Sequence, residues 1–172
     1  YEINPDVEPL AREHFLYLEH CQGEVEVVPG DGRTELEREL QRGEPQQFDV
    51  LFLDAFSGDS IPIHLLTREA FEIYSRHLKP DGHIVAQITN QHVDLRDPLR
   101  VLATDLEKEI VQIEAPPRET WEYYSRWVVI GNDPTLIDRI RAAGYVTEWE
   151  QKNPKPVRWT DDYSNLMQVL EW

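Results

Sequence analysis

Three acids stand where apolar runs give way to turns, and their spacing carries whatever chemistry this chain performs: Glu2, Asp31 and Asp54. Asp54 is the sharpest case. The run Val50-Leu51-Phe52-Leu53, between Asp49 and Asp54, suits a strand buried on both faces of a parallel sheet. Asp54 then stands at the strand's carboxyl end, where open α/β sheets place ligands, and an acidic loop continues to Asp59. The plainer alternative is that Asp54 caps the next turn. Glu2 and Asp31 stand in the same manner at the ends of strands read as closing at Ile3 and Val28. An acid ending a second strand commonly accepts hydrogen bonds from ribose hydroxyls. A Gly30-Asp31-Gly32 turn lets a flat base approach the backbone while the carboxylate accepts from an exocyclic amine. Against this, Glu2 would be a frayed end residue, and Asp31 would only shape its turn.

The elements that must position these acids alternate along the chain. Asn4-Pro5-Asp6 opens a helix, on which Val7, Leu10, Ala11, His14, Phe15 and Leu18 form one face and which Gly23 ends. Glu24–Val28 alternates acidic and apolar residues, as a half-exposed edge strand does, and a charged helix spans Thr34–Gln41. After the strand Phe48–Phe56, a helix is expected over Thr67–Leu78, a tight turn at Lys79-Pro80-Asp81-Gly82 and a buried strand at His83–Thr89. A helix at Pro98–Glu109, strands at Ile110–Glu114 and Trp127–Gly131, and a helix at Thr135–Ala143 complete the pattern. Helices between strands mean parallel βαβ units. The expected fold is α/β: a Rossmann-like, mostly parallel sheet with flanking helices and an antiparallel strand pair near the C-terminus.

Composition narrows the partners. With 172 residues, 40% hydrophobic content and five Trp, the chain fits one folded domain over 1–172. A formal net charge of −16 repels phosphate backbones, so nucleic acid is not an expected partner, whereas cations, polyamines among them, are attracted. The charge serves equally as a solubility device. Cys21 is the single cysteine, which excludes an internal disulfide; it is read as a small buried side chain near a helix end. No stretch approaches a membrane span. Tyr1-Glu2-Ile3 reads as the end of a strand already under way, so the sequence is expected to be a piece of a longer protein.

The residues resemble a family. Tyr1-Glu2-Ile3-Asn4-Pro5, Val28-Pro29-Gly30-Asp31-Gly32-Arg33, Phe48–Asp54, Leu66–Phe71, Leu78–Gln87, Thr89-Asn90 and Trp159–Leu166 are similar, in order, to spermidine synthases, within the class I S-adenosylmethionine-dependent fold. The likeness is to the domains fused to membrane segments. It implies that Glu2 holds ribose hydroxyls, that Asp31 and Gly32 contact adenine, and that Asp54, also among the cofactor-binding residues, begins an Asp-x-x-Asp motif handling the amine. It implies decarboxylated S-adenosylmethionine or S-adenosylmethionine as cofactor, no metal, a polyamine or other small amine as substrate, a homodimer, and a cytoplasmic location with membrane segments in the parent chain. A primary amine, with a pKa of about 10.4, is protonated at neutral pH, so a carboxylate that binds the ammonium and takes its proton suits a general base. Positioning amine and sulfonium together supplies most of the acceleration.

Two departures stand out. Asp59 follows Asp54 after four residues rather than two, so its catalytic role is not simply inherited. The first strand and its Gly-rich loop, which should precede Glu2, are absent from the sequence; a gap in the sheet and a need for the intact parent protein follow as expectations. Trp121–Tyr124 is read either as an amine pocket or as packing, and Trp159–Tyr163 either as a cover for a cation or as a capped turn. The six histidines form no metal-ligand spacing, and Ser57-Gly58 is no nucleophile elbow. Aminopropyl transfer leads the readings. Gln87, after the core of the fifth strand, leans the same way. Methyl transfer from S-adenosylmethionine, or a non-catalytic nucleoside-binding remnant, are the alternatives.

Overall fold

A computed structural model describes residues 1–55, 61–90, 92–147, 149 and 157–170. The chain divides into two compact units, Tyr1–Pro45 and Gln46–Trp172.

The first unit holds two helices. Helix α1, Val7–His14, opens where Val7 N donates to the Asn4 carbonyl and Asp6 N to Asn4 Oδ1. It closes at Phe15 rather than at Gly23, so Leu18 lies beyond the helix. Exposed Phe15, Leu16 and Tyr17 give the chain nothing to pack against a further helical turn, and helices this short depend on packing. Helix α2, Gly32–Arg42, is capped by Asp31, whose side chain accepts from Thr34 N at 2.9 Å, and ends at Gly43 in the left-handed conformation. The expected edge strand at Glu24–Val28 does not form; Glu2 N donates to the Val28 carbonyl, and a parallel bridge joins Glu2 to Pro29 just beyond the segment. Cys21 is exposed, not buried.

The second unit is a four-stranded sheet in the order β1-β2-β4-β3, made of β1 Phe48–Leu53, β2 Leu78–Gln87, β3 Glu109–Ala115 and β4 Ser125–Gly131. β1 runs parallel to β2, while β4 pairs antiparallel with both β2 and β3, so the antiparallel pair near the C-terminus stands as expected. Helix α3, Arg68–His77, connects β1 to β2; α4, Arg96–Asp105, connects β2 to β3; α5, Pro134–Ala142, follows β4.

One sheet face is dry. Leu51, Ile84, Ala86, Val128 and Ile130 are buried, as are Phe71 and Tyr74 of α3 and Leu99 and Leu102 of α4. The Val, Leu, Ile and Phe side chains among them each contribute roughly 1.5–3 kcal/mol when fully buried. On the other face, α5 brings Ile137 onto Val111 and Val129, and Val85, Ile113, Ile140 and Val146 border that cluster.

Two expectations fail in this unit. β1 is not buried on both faces: Leu51 and Leu53 are buried, but Phe52 is 65% exposed. Its place at the end of the strand order explains the alternation, because the α5 cluster on that face takes in β3, β4 and Val85 of β2 but no residue of β1. The Lys79–Gly82 turn is instead a wide bulge. Phe48 pairs with Leu78 and Val50 with His83, so four residues bow out opposite Asp49 alone, with Lys79 Nζ 2.6 Å from the Asp49 carboxylate. Gly82 is required here, because a Cβ would stand 2.7 Å from the Phe48 carbonyl oxygen.

Candidate functional site

Glu2 and Asp31 are brought together by backbone pairing inside the first unit. Glu2 N donates to the Val28 carbonyl at 3.0 Å, and Gly30 N donates to the Glu2 carbonyl at 2.9 Å. The backbone of Glu2 therefore stands one strand-width from the Gly30-Asp31-Gly32 turn. Glu2 Oε1 accepts from Asn4 N at 2.7 Å, which orients the carboxylate at the mouth of α1. Gly30 sits at φ +143°, and a Cβ there would approach Glu35 Oε1 to 2.6 Å, so glycine alone fits this turn. Asp31 accepts from both Thr34 N and Thr34 Oγ1, at 2.9 and 3.0 Å. Asp31 thus does more than shape its turn: it caps α2 and presents the backbone of Gly32 at a helix N-terminus. Chemically this is an acceptor-rich edge beside open backbone, suited to hydroxyls and an amino-bearing ring.

Asp54 belongs to the second unit, directly beyond Leu53 at the carboxyl end of β1, and it is exposed. Leu53 pairs with Ala86, so Asp54 and Gln87 end neighbouring parallel strands. Gln87 pairs in turn with Trp127 of β4, and Phe52 meets Trp127 edge-on with ring centroids 6.4 Å apart. One sheet edge thus gathers a carboxylate, an amide and an aromatic pair, groups that suit an alkyl ammonium. Asp59 lies outside the described residues, and so do Ser57 and Gly58.

The remaining candidates resolve differently. Trp121 and Tyr123 are exposed, 73% and 91%, and not core. The Tyr124 ring already receives a cation, with the Arg126 guanidinium carbon 5.5 Å from its centroid while Arg126 Nε reaches Glu114 at 3.0 Å. Burial first, and Glu114 second, hold the Tyr124 phenol above its usual pKa. In the Trp159–Asn165 segment, Trp159 is fully buried and its carbonyl accepts from Arg68 N. The Thr67 hydroxyl donates to Asp161 Oδ1, and Asp161 N donates to Glu69 Oε2. This segment clasps the start of α3, and Tyr163 N donates to the Thr160 carbonyl and hydroxyl, the capped turn of the plainer alternative, while Asp162 and Tyr163 stay exposed. Among the described residues no cluster of three His, Cys, Asp or Glu groups is arranged to hold a metal ion.

One pair escaped the sequence reading. Tyr1 Oη donates to both oxygens of Glu39, at 3.0 and 2.9 Å, and Glu39 is buried. Burial first, and this carboxylate second, hold the Tyr1 phenol above its usual pKa, so it remains a donor. The available signal was Glu39 three positions after Leu36, on one face of α2.

No protein-family model matches the chain. A polyamine aminopropyltransferase of Vibrio vulnificus (strain CMCP6) is 35% identical over 85 residues, which are 49% of this chain and 27% of that protein. The crystal structure of a probable spermidine synthase from Corynebacterium glutamicum ATCC 13032 superposes with a TM-score of 0.56 at 25% identity, covering 91% of this chain and 50% of that one. Human methyltransferase-like protein 13, solved in complex with SAH, superposes with a TM-score of 0.55 at 15% identity, covering 89% of this chain and 73% of that one. The chain therefore spans half or less of the aminopropyltransferase and the spermidine synthase it matches. In sequence and in architecture it is spermidine synthase-like, with the α/β fold of the methyltransferases.

Proposed function

We propose that the protein carrying this chain transfers an aminopropyl group from decarboxylated S-adenosylmethionine to a polyamine such as putrescine, and that residues 1–172 belong to one transferase domain. The observation that carries this is the Glu2–Pro29 pairing, which brings the backbone of Glu2 alongside the Gly30-Asp31-Gly32 turn. Glu2 would accept from the ribose hydroxyls, and Asp31 with Gly32 would receive the adenine. The likeness to the Vibrio aminopropyltransferase supports the same assignment.

In the reaction, Asp54 holds the amine as its ammonium and takes one proton. The freed nitrogen pair attacks the aminopropyl carbon next to sulfur. The carbon–sulfur bond breaks, and sulfur leaves with its electron pair as methylthioadenosine. The neutral thioether leaves readily, so the chain's task is placement and proton removal. The roles of Asp54 and of Asp59 as its companion are part of the proposal, as are a homodimer and a cytoplasmic location. No helix among the described residues is long and apolar enough to cross a membrane. The reaction as written calls for no metal.

The test is an assay of the whole protein with putrescine and decarboxylated S-adenosylmethionine, following methylthioadenosine. Stoichiometric methylthioadenosine and spermidine are expected. No product from any polyamine, together with methyl transfer from S-adenosylmethionine to an acceptor, would replace this reading with a methyltransferase. We further propose that the 172-residue chain by itself binds the nucleoside weakly, and tight binding measured by calorimetry would refute that.

A further inference from the structure

We propose that Tyr1 is a positioning residue, which locks the Glu2 carboxylate at a fixed spacing from the Asp31-Gly32 turn through its bond to Glu39; this rests on the nucleoside reading above. Tyr1 spans α2 at two points. Its Cβ lies 3.4 Å from where a Cβ on Gly32 would stand, at the start of the helix. Its hydroxyl reaches Glu39, which is about 10 Å further along at 1.5 Å rise per residue. A tyrosine has two side-chain torsions, so fixing both its ends fixes the backbone that bears it. The next residue is Glu2, already bound through its backbone to Val28 and Gly30.

Glu39 makes the lock firm. It is 4% exposed, and a carboxylate taken from water needs donors. The Tyr1 hydroxyl serves both of its oxygens. Sliding Glu2 relative to Asp31 would strip that donor from a buried charge, a costlier loss than one neutral hydrogen bond. The two acceptors assigned to ribose and base therefore hold their separation before any ligand arrives, and this pre-organisation is what the site gains from Tyr1.

The test uses the whole protein and two probes, methylthioadenosine and its 2′,3′-dideoxy analogue, with affinities from calorimetry. Wild type is expected to prefer the ribose form. Tyr1→Phe should weaken methylthioadenosine by about tenfold to a hundredfold, the effect of one hydrogen bond to a charged group, and leave the dideoxy analogue unchanged. Glu39→Gln, which keeps one acceptor for the phenol, should fall between wild type and Tyr1→Phe. Equal loss on both probes would mean general damage to the fold and overturn the proposal, as would no loss on either. If wild type does not distinguish the probes, the nucleoside site itself fails and takes this inference with it. Amide exchange offers a second measure where Tyr1→Phe folds poorly: Glu39→Gln should speed exchange at Gly30 while α2 stays protected, and unchanged exchange at Gly30 would count against the lock.

Discussion

The Thr67 hydroxyl donates to Asp161 Oδ1 at 2.7 Å, joining residues 94 positions apart. Thr67 also caps α3 by accepting from Ala70 N, so one hydroxyl serves the helix and the distant segment together. Asp161→Ala removes an acceptor from a buried hydroxyl and should cost about 1–2 kcal/mol in denaturant unfolding. Asp161→Asn keeps an acceptor and should cost less than half of that. If the Ala variant unfolds like wild type, the clasp on α3 contributes nothing.

Gly82 presses against the Phe48 carbonyl, and no flexible side chain stands between them to give way. Gly82→Ala should lower stability by about 1–3 kcal/mol, the range for forced overpacking. The bulge that pairs Val50 with His83 should shift as well, visible as altered amide exchange at His83 and Ile84. An Ala variant as stable as wild type would show that the strand relaxes around the added methyl.

How far these relationships were legible depends on their range. Thr67, Asp31 and Asp133 all precede apolar periodicity, and each accepts from a backbone amide two or three residues on, so the starts of α2, α3 and α5 were readable from local chemistry. The antiparallel β3–β4 pair was readable for a similar reason. The failures are tertiary. Val50 and Phe52 look like core residues by type, and only their place at the end of the strand order exposes them. Lys79-Pro80-Asp81-Gly82 has turn chemistry, yet the pairing on both sides absorbs it as a bulge. The sequence placed Glu2 and Asp31 at turns; the bridge that sets them side by side, and the Tyr1–Glu39 bond beneath, depend on partners 27 and 38 positions away.

Alkaline pH offers a stability test of that bond. The Tyr1 phenol is held above its usual pKa of about 10, chiefly by burial and next by Glu39. The folded state therefore keeps a proton that the unfolded chain loses, so the contribution is complete below about pH 10 and declines as pH rises further. Lys108, whose pKa burial lowers, acts in the opposite sense, since the folded chain sheds its proton first. Tyr124 also acts in the sense of Tyr1, so the comparison must be between variants. Tyr1→Phe should unfold with a shallower loss of stability above pH 10 than wild type. Identical alkaline slopes would mean that Tyr1 is not bonded to Glu39 in solution.

Asp54 carries the sharpest functional prediction. It ends β1 beside Gln87 of β2, on a strand whose buried Leu51 and Leu53 hold the backbone firmly. A general base so placed should be worth about 10²–10⁴ in rate. Asp54→Asn in the whole protein keeps the size of the side chain and removes both the charge that holds an ammonium and the site that takes its proton. The turnover number should fall by about that factor, with KM raised more for the amine than for the sulfonium nucleoside. Gln87→Ala should raise the KM for the amine and leave turnover within about tenfold, since an amide can bind an ammonium without accepting its proton. Equal effects of the two substitutions on turnover would place Asp54 among the binding groups and require another base for the amine.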